Sequence, residues 1–288
     1  MNKRRILGAK KLNRSRAGTA LLFFFLSLFG IFMALPLVLT VNNAFKPLDE
    51  LFLFPPRFFV RNPTFNNFFD LFILMGESWV PFSRYVANTL IITGFGVVGH
   101  VIASSMAAYT LAKIEIRWGK FLFSLVVLSL MFSPVVIGIP NFMIITALGI
   151  NNTYLAIILP AVSSSLGLFL MKQFMEQIPN SLIESARLDG ASEFRIYFSI
   201  VMPNVKPAWL TLSILMFQAL WGNTGGVLLR SEQLRPLSFA LNQLAAGGVA
   251  RAGVGAAVGF LMMMVPITFF IIAQSKIIET MTTAGMKE

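Results

Sequence analysis

Apolar residues along this chain gather into six runs, at 21–41, 90–111, 121–139, 155–171, 208–220 and 254–273, parted by stretches where charges, Gly and Pro return. A helix needs about twenty apolar residues to cross roughly 30 Å of hydrocarbon, and within lipid only a helix or a closed barrel satisfies its own backbone. The pattern therefore predicts an all-α polytopic membrane protein of about six transmembrane helices. The first run carries no charge. It is longer than a signal-peptide core and no A-x-A-like cleavage site follows, so it is expected to stay as a span. The fifth is short and must extend over 205–221 to reach across. Outside the runs lie a cytoplasmic basic N-terminus at 1–20, an outer loop at 42–84 and a cytoplasmic loop at 172–206, with 21–288 forming one domain. The outer loop holds Phe52, Phe54, Phe58, Phe59, Phe65, Phe68, Phe69 and Phe72, too many for a solvated loop, and is expected to lie at the outer interface.

The polar loop between the fourth and fifth runs has helical punctuation of its own. Ser181 and Glu184 have capping-box spacing, so a helix is expected to start near Ser181. Gly190 can take the left-handed conformation that ends it, and Ser192 can cap a second short helix toward Phe198. Leu182, Ile183, Ala186 and Leu188 form an apolar side beside Glu184, Arg187 and Asp189. The residues alone leave two readings open: a knob shaped for a groove on a partner, or an amphipathic turn resting on lipid headgroups.

Composition agrees with burial in lipid. The 288 residues are 56% hydrophobic and 12% charged, with a mean hydropathy of +0.76, more apolar surface than one soluble core hides. The net charge of +11 would suit a nucleic-acid partner if clustered, but its distribution reads as topology. With the N-terminus inside, the inner segments hold 16 Lys and Arg and the outer ones 7 of the total of 23, so both termini are expected in the cytoplasm of a bacterial cell, with the membrane lipid as partner and no nucleic acid. Zero Cys and a single His exclude disulfides, cysteine nucleophiles and zinc motifs. No catalytic or metal site is expected, because general acid–base work needs convergent titratable groups. No phosphate-cradling G-x-x-x-x-G-K-[ST] stretch is present, so the chain is not expected to hydrolyse ATP itself.

The six runs contain no Asp, Glu, Lys or Arg, only His100, four residues before Ser104 and on the same helical face. A neutral imidazole hydrogen-bonded within the bundle is the expected reading, ahead of a substrate contact or proton relay. A pathway for a neutral polar solute would draw on Asn88, His100, Ser104, Ser133, Gln218, Trp221 and Asn223, although polar residues in spans more often join helices. Pro134, Pro140, Pro160 and Pro266 mark expected kinks, and Gly255 with Gly259 forms a G-x-x-x-G packing face, read chiefly as packing within the chain.

Glu184-Ser185-Ala186, Gly190 and Ile200-Val201-Met202-Pro203 together resemble the EAA loop of binding-protein-dependent ABC importer permeases, E-A-A-x3-G-x9-I-x-L-P, with Ser185 and Met202 as the departures. Asn88-Thr89-Leu90, Ala107 to Lys113, Leu148-Gly149-Ile150-Asn151-Asn152-Thr153 and Thr283-Ala284-Gly285-Met286-Lys287 are similar to the sugar-importer branch related to the maltose system. Trp221 to Gly226 and Ala250 to Ala256 resemble permeases for oligosaccharides released from plant polysaccharides.

The resemblance implies a type I permease fold and a sugar-import function. It also implies a second homologous permease subunit, an ABC ATPase dimer that binds the ATP and magnesium, so that this chain needs no cofactor, and an extracellular or periplasmic sugar-binding protein. Glu184, Ser185, Ala186, Arg187, Leu188, Asp189 and Gly190 would form the coupling surface against the ATPase. The competing classes, an ion-coupled secondary carrier acting alone and a polytopic membrane enzyme, are disfavoured by the missing ionisable groups.

Overall fold

A computed structural model describes residues 16–285; the basic residues Lys3, Arg4, Arg5, Lys10, Lys11 and Arg14, and the tail residues Met286 and Lys287, lie outside that range. The described residues form helices and no strand. In chain order these are α1 (Arg16–Phe45), α2 (Leu48–Leu51), α3 (Asn66–Gly76), α4 (Phe82–Lys113), α5 (Gly119–Ser129), α6 (Pro134–Ala147), α7 (Leu155–Val162) and α8 (Ser165–Glu176). They continue with α9 (Asn180–Leu188), α10 (Glu193–Ile196), α11 (Met202–Asn204), α12 (Lys206–Trp221), α13 (Leu237–Ala245) and α14 (Ala252–Gly285). Helix α4 is the hub, packed against α7, α8 and α12, while α14 gathers α1, α3, α12 and α13.

Four helical stretches are long and apolar enough to cross a membrane: Ala17–Phe45, Phe82–Lys113, Leu155–Glu176 and Val249–Lys276. A fifth results if Glu193–Asn204 and Lys206–Trp221, bent by 78°, are one span. The short fifth run thus finds its extra length around a corner, where Pro203 and Pro207 withhold backbone donors. Helix α1 is exposed along almost its whole apolar length, with Phe23 at 71% and Met33 at 74%, the surface of a helix that expects lipid or a partner rather than this chain's own core.

The expected third span, 121–139, is not continuous. It is split into α5 and α6, with residues 130–133 between them. Pro134 begins α6 and Ser133 before it is extended, at φ −63° and ψ 138°, as a residue preceding proline tends to be. The fourth span breaks as well, at Ser163 and Ser164, where Ser164 has φ −62° and ψ 125°. The second begins at Phe82, eight residues earlier than its apolar core suggested.

The outer loop is shorter and better folded than expected, since α1 reaches Phe45 and α4 starts at Phe82. Three buried polar side chains organise it. Lys46 Nζ donates to the Arg57 carbonyl at 2.6 Å and Asn43 Oδ1 at 2.9 Å. Glu50 Oε1 accepts from the Arg61 amide at 2.9 Å, and Asn67 Nδ2 donates to the carbonyls of Ala44 and Lys46. Phe45, Phe65, Phe68 and Phe260 pack ring against ring at centroid distances of 5.3 to 6.3 Å, and Leu71 and Met75 join Leu241, Val254 and Val258 in a small core. Part of the Phe-rich segment is therefore interior, whereas Phe54 remains 94% exposed.

The G-x-x-x-G face of α14 meets this chain's own elements, Gly255 facing Ala245 and Gly259 facing Thr40. A Cβ at either would sit at 3.7 to 3.8 Å from its nearest neighbour, so close helix approach is not what these two glycines provide.

Candidate functional site

Helix α9 starts one residue before Ser181. Pro179 is its N-cap, held extended at φ −59° and ψ 133° with no side-chain cap bond, so the capping box expected from Ser181 and Glu184 does not form. The Ser181 carbonyl instead accepts from Ser185 Oγ at 2.8 Å. The far end is as expected: Gly190 has φ +77°, its amide donates to the Arg187 carbonyl and that of Ala191 to Ala186, each at 3.0 Å. These are the paired bonds of a Schellman ending. Ser192 then caps α10, its Oγ accepting from the Arg195 amide at 3.4 Å.

This hairpin of helices has two faces. Inward, Ile183 is 2% exposed within a cluster containing Ala108 and Tyr109 of α4, Met171 and Met175 of α8, and Ile196, Tyr197 and Val201 beyond the turn. Outward, Leu182 is 44% and Leu188 89% exposed, and Glu184, Ser185, Asp189 and Gly190 are exposed as well. The apolar side predicted for the helix is thus divided between two surfaces, one internal and one free.

Polar bonds lock the inner face to α4. Arg187 Nε–H donates to Glu193 Oε1 at 2.7 Å, and Tyr109 Oη–H donates to Glu193 Oε2 at 2.5 Å. The Ser105 and Tyr197 hydroxyls share a bond of 2.6 Å. Lys113 Nζ donates to the Ile178 carbonyl at 2.6 Å and to Asn180 Oδ1 at 2.9 Å. Glu193 beside it raises the Arg187 guanidinium above its ordinary pKa. Between α9 and the end of α4 lies a cavity of about 400 Å³, lined by Lys113, Glu115, Asn180, Glu184 and Arg187 among others.

The residues expected along a pathway fall into three groups. Asn88 is fully buried with every polar group engaged: Nδ2 donates to the carbonyls of Gln233 and Arg235 at 2.8 Å each, and Oδ1 accepts from Tyr154 Oη at 2.6 Å. It joins elements. His100 is fully buried too, its Nδ1 3.3 Å from the Val162 carbonyl. His100 Nε2 and the Ser104 hydroxyl have no partner, because both press on Gly167 of α8, where an added Cβ would overlap them. The imidazole thus lies inside the bundle. Ser133 caps α6, its Oγ accepting from the Val135 amide at 3.4 Å, and Trp221 Nε1 donates to the Met262 carbonyl at 3.1 Å.

Asn223 and Gln218 are the ones left facing space. Gln218 is exposed, without a side-chain hydrogen bond among the described residues. Asn223 lies in a recess of about 420 Å³ with Gly138, Asn141, Phe142 and Thr224. A neighbouring recess of about 530 Å³ is lined by Ser129, Phe132, Gly138, Asn141, Ser163 and Ser164 among others. Asn141, within α6, and the serines at 163–165 were not among the residues expected along a pathway, although kinks were expected at Pro134 and Pro160, beside the two breaks. Asn152, with φ 60°, secures the loop beside the first recess: its Oδ1 accepts from the amides of Arg230 and Ser231 at 3.0 and 2.8 Å.

Residues 99–282, from the middle of α4 to the last turns of α14, match the family described as "Binding-protein-dependent transport system inner membrane component". The chain belongs to that family. The permease is similar to the "Arabinooligosaccharides transport system permease protein AraQ" of Halalkalibacterium halodurans, 31% identical over 92% of this chain and 94% of the relative. It is also similar to the "Galactooligosaccharides transport system permease protein GanQ" of Bacillus subtilis, 26% identical over 92% and 94%. Its fold is shared with a chain of a bacterial ABC transporter involved in the import of the acidic polysaccharide alginate, at a TM-score of 0.72 and 23% identity, covering 92% of this chain and 99% of that one.

The permease is thus a multi-pass membrane protein of a transport system, and the family match takes in α9 and both helix breaks. What distinguishes α9 from a turn resting on headgroups is its internal anchoring. An interfacial helix buries its apolar face in lipid, whereas here Ile183 and, in part, Ala186 pack against this chain's own α4 and α8, leaving Leu182, Leu188 and the charged residues for another surface.

Proposed function

We propose that the permease forms half of the translocation pathway of an ATP-driven importer of oligosaccharides, and that α9 carries the motion of a separate ATPase dimer into the membrane helices. One observation carries the reading: α9 is a short capped lever whose start is held to α4 by Lys113, bonded to Ile178 and Asn180, and whose end is held through Arg187 to Glu193 of α10, itself bonded to Tyr109 of α4, while its outer face stays free. A lever needs rigidity on the driven side and access on the driving side, and α9 has both. Closure of the ATPase would move two such levers, one from this chain and one from a homologous partner, and switch the cavity between them from inward-facing to outward-facing.

The ATPase would bind the ATP and magnesium, a reading supported by the lack of a G-x-x-x-x-G-K-[ST] stretch in this sequence. The names of the relatives AraQ and GanQ support oligosaccharides as the cargo, delivered by a binding protein on the outer face. The excess of Lys and Arg in the segments assigned inside supports cytoplasmic termini and a cytoplasmic α9. Reconstitution with the partner permease, ATPase and binding protein tests the reading. Glu184→Lys, which reverses an exposed charge on the outer face of α9, is expected to leave insertion intact and abolish ATPase association and uptake. Full association in that variant would overturn the docking role. In this cysteine-free chain, Ser231→Cys is expected to label from outside and Ser192→Cys only from inside; the reverse would invert the orientation.

A further inference from the structure

Both broken spans are broken at the same place. From its ends, the fourth span reaches its break after the 8 residues of α7 on one side and the 12 of α8 on the other, roughly 12 and 18 Å. The third reaches its own after the 11 residues of α5 and the 14 of α6, roughly 16 and 21 Å. Ser129 Oγ–H donates to Ser165 Oγ at 2.6 Å, fastening one break against the other. Two interrupted helices meeting near mid-depth are where backbone irregularity is tolerated beside a cavity; the second recess opens at the breaks, and the first adjoins it through Gly138 and Asn141 of α6 and is closed on its other side by 222–228.

The chemistry of the lining is selective. Neither recess contains an ionisable side chain. The Asn141 amide and Ser164 hydroxyl have no side-chain hydrogen bond among the described residues, and Ser164 is an N-cap whose side chain makes no cap bond. Asn223 spends Oδ1 on the Gly225 amide at 2.7 Å, which leaves its NH2 to donate. Each recess adds one aromatic ring, Phe132 or Phe142. Gly138 has open space where a Cβ would stand, keeping the recesses connected.

We propose that the recess at the paired breaks and the recess adjoining it form two consecutive contact sites for uncharged glycosyl units, with Asn141 between them, Ser164 in one and Asn223 in the other. Neutral donors and acceptors satisfy sugar hydroxyls, a ring face covers the apolar side of the sugar, and an acidic glycan would find no cation in the lining of either recess; the guanidinium of Arg235, behind the first, is engaged with the Thr224 and Gly226 carbonyls. The inference rests on the import reading above and narrows its cargo to neutral rather than uronic oligosaccharides.

The test uses the full assembly in lipid vesicles with arabinotriose, galactotriose and trigalacturonate as probes. Wild type is expected to take up a neutral trisaccharide in preference to the uronate. Asn141→Leu and Ser164→Ala are expected to lower that uptake about tenfold, the change for one or two lost hydrogen bonds, with binding-protein-stimulated ATP hydrolysis retained. Asn141→Cys is expected to be alkylated more slowly when the neutral sugar is being transported. Unchanged uptake in Asn141→Leu and Ser164→Ala, or lowered uptake with no protection of Asn141→Cys, overturns the contact sites while leaving the import reading intact. Import of the uronate alone overturns the neutral specificity. A wild-type assembly that hydrolyses ATP and imports none of the three sinks the import reading itself.

Discussion

Glu193 is the pin between lever and rod, and its removal has a calculable effect. It accepts from Arg187 at 2.7 Å and from Tyr109 at 2.5 Å. The side chains of Arg187 and Glu193 are 41% and 48% exposed, so water screens their pairing and it contributes about 0.5 kcal/mol. The bond from Tyr109, part-buried, is worth about 1.5 kcal/mol as a hydrogen bond to a charged group. Glu193→Ala therefore weakens the attachment by about 2 kcal/mol, a roughly thirtyfold rise in the detached population. Ile183 remains buried and α9 remains folded, so association with the ATPase survives. The assay is uptake per ATP hydrolysed in reconstituted vesicles: the ratio is expected to fall severalfold in Glu193→Ala and less in Glu193→Gln, which keeps an acceptor for Tyr109. A double-mutant cycle of Tyr109→Phe with Glu193→Ala is expected to show coupling of about 1 kcal/mol in stability. An unchanged ratio together with zero coupling would refute the rigid-lever argument.

Three further outcomes follow from the geometry. Gly190→Ala meets no steric obstacle but must hold φ +77°, costing about 1 kcal/mol; thermal unfolding in detergent is expected to show the loss, and Gly190→Asn a smaller one. Asn152→Ala gives up two bonds to the amides of Arg230 and Ser231 as well as its tolerance of positive φ, about 2 to 3 kcal/mol. Proteolysis within 224–236 is expected to accelerate, and less so for Asn152→Gly. Gly167→Ala forces a methyl against His100 and Ser104, costing about 1 to 3 kcal/mol as overpacking. Adding His100→Ala is expected to recover part of it, and additivity of the two changes would contradict the contact.

How much of this was legible in the sequence depends on how far apart the interacting residues lie. Span composition is local and was readable, as was the turn at Gly190, where a single residue type decides the backbone. The division of the third span was locally encoded as well: Ser133-Pro134 is an N-cap followed by proline at the first helical position, a helix start. The sequence marked Pro134 as a kink, but the apolar run through it read as one span, and Asn141, two residues beyond the expected end of that span, was not among the candidates. Ser181 failed as a cap because Pro179 had already set the extended geometry that a helix start needs. Asn88 could not be sorted from pathway residues at all, since its partners Gln233 and Arg235 are 145 and 147 residues away. A free amide in a pathway and a satisfied one in a joint look alike in one dimension.

The long-range joints converge on one helix. Helix α4 has 32 residues without a proline, about 48 Å of uninterrupted rod. At the Phe82 end it is tied to the loop beside the recesses: Tyr85 Oη donates to Glu232 at 2.8 Å, Asn88 to the Gln233 and Arg235 carbonyls, and Thr89 Oγ1 accepts from the Leu237 amide at 2.7 Å. At the Lys113 end Ser105, Tyr109 and Lys113 hold the second half of the 172–206 loop and the start of α9. Between these ends Leu220, Val162 and Gly167 press so closely on Gly96, Gly99 and His100 that a Cβ on any of the three glycines would clash. Close packing along the middle resists bending, because interiors transmit strain rather than absorb it. On the coupling role proposed above, a displacement imposed on α9 would therefore be carried along α4 to 232–237 and, through the bond from Arg235 to the Thr224 carbonyl, to the edge of the first recess without a chain of intermediate switches.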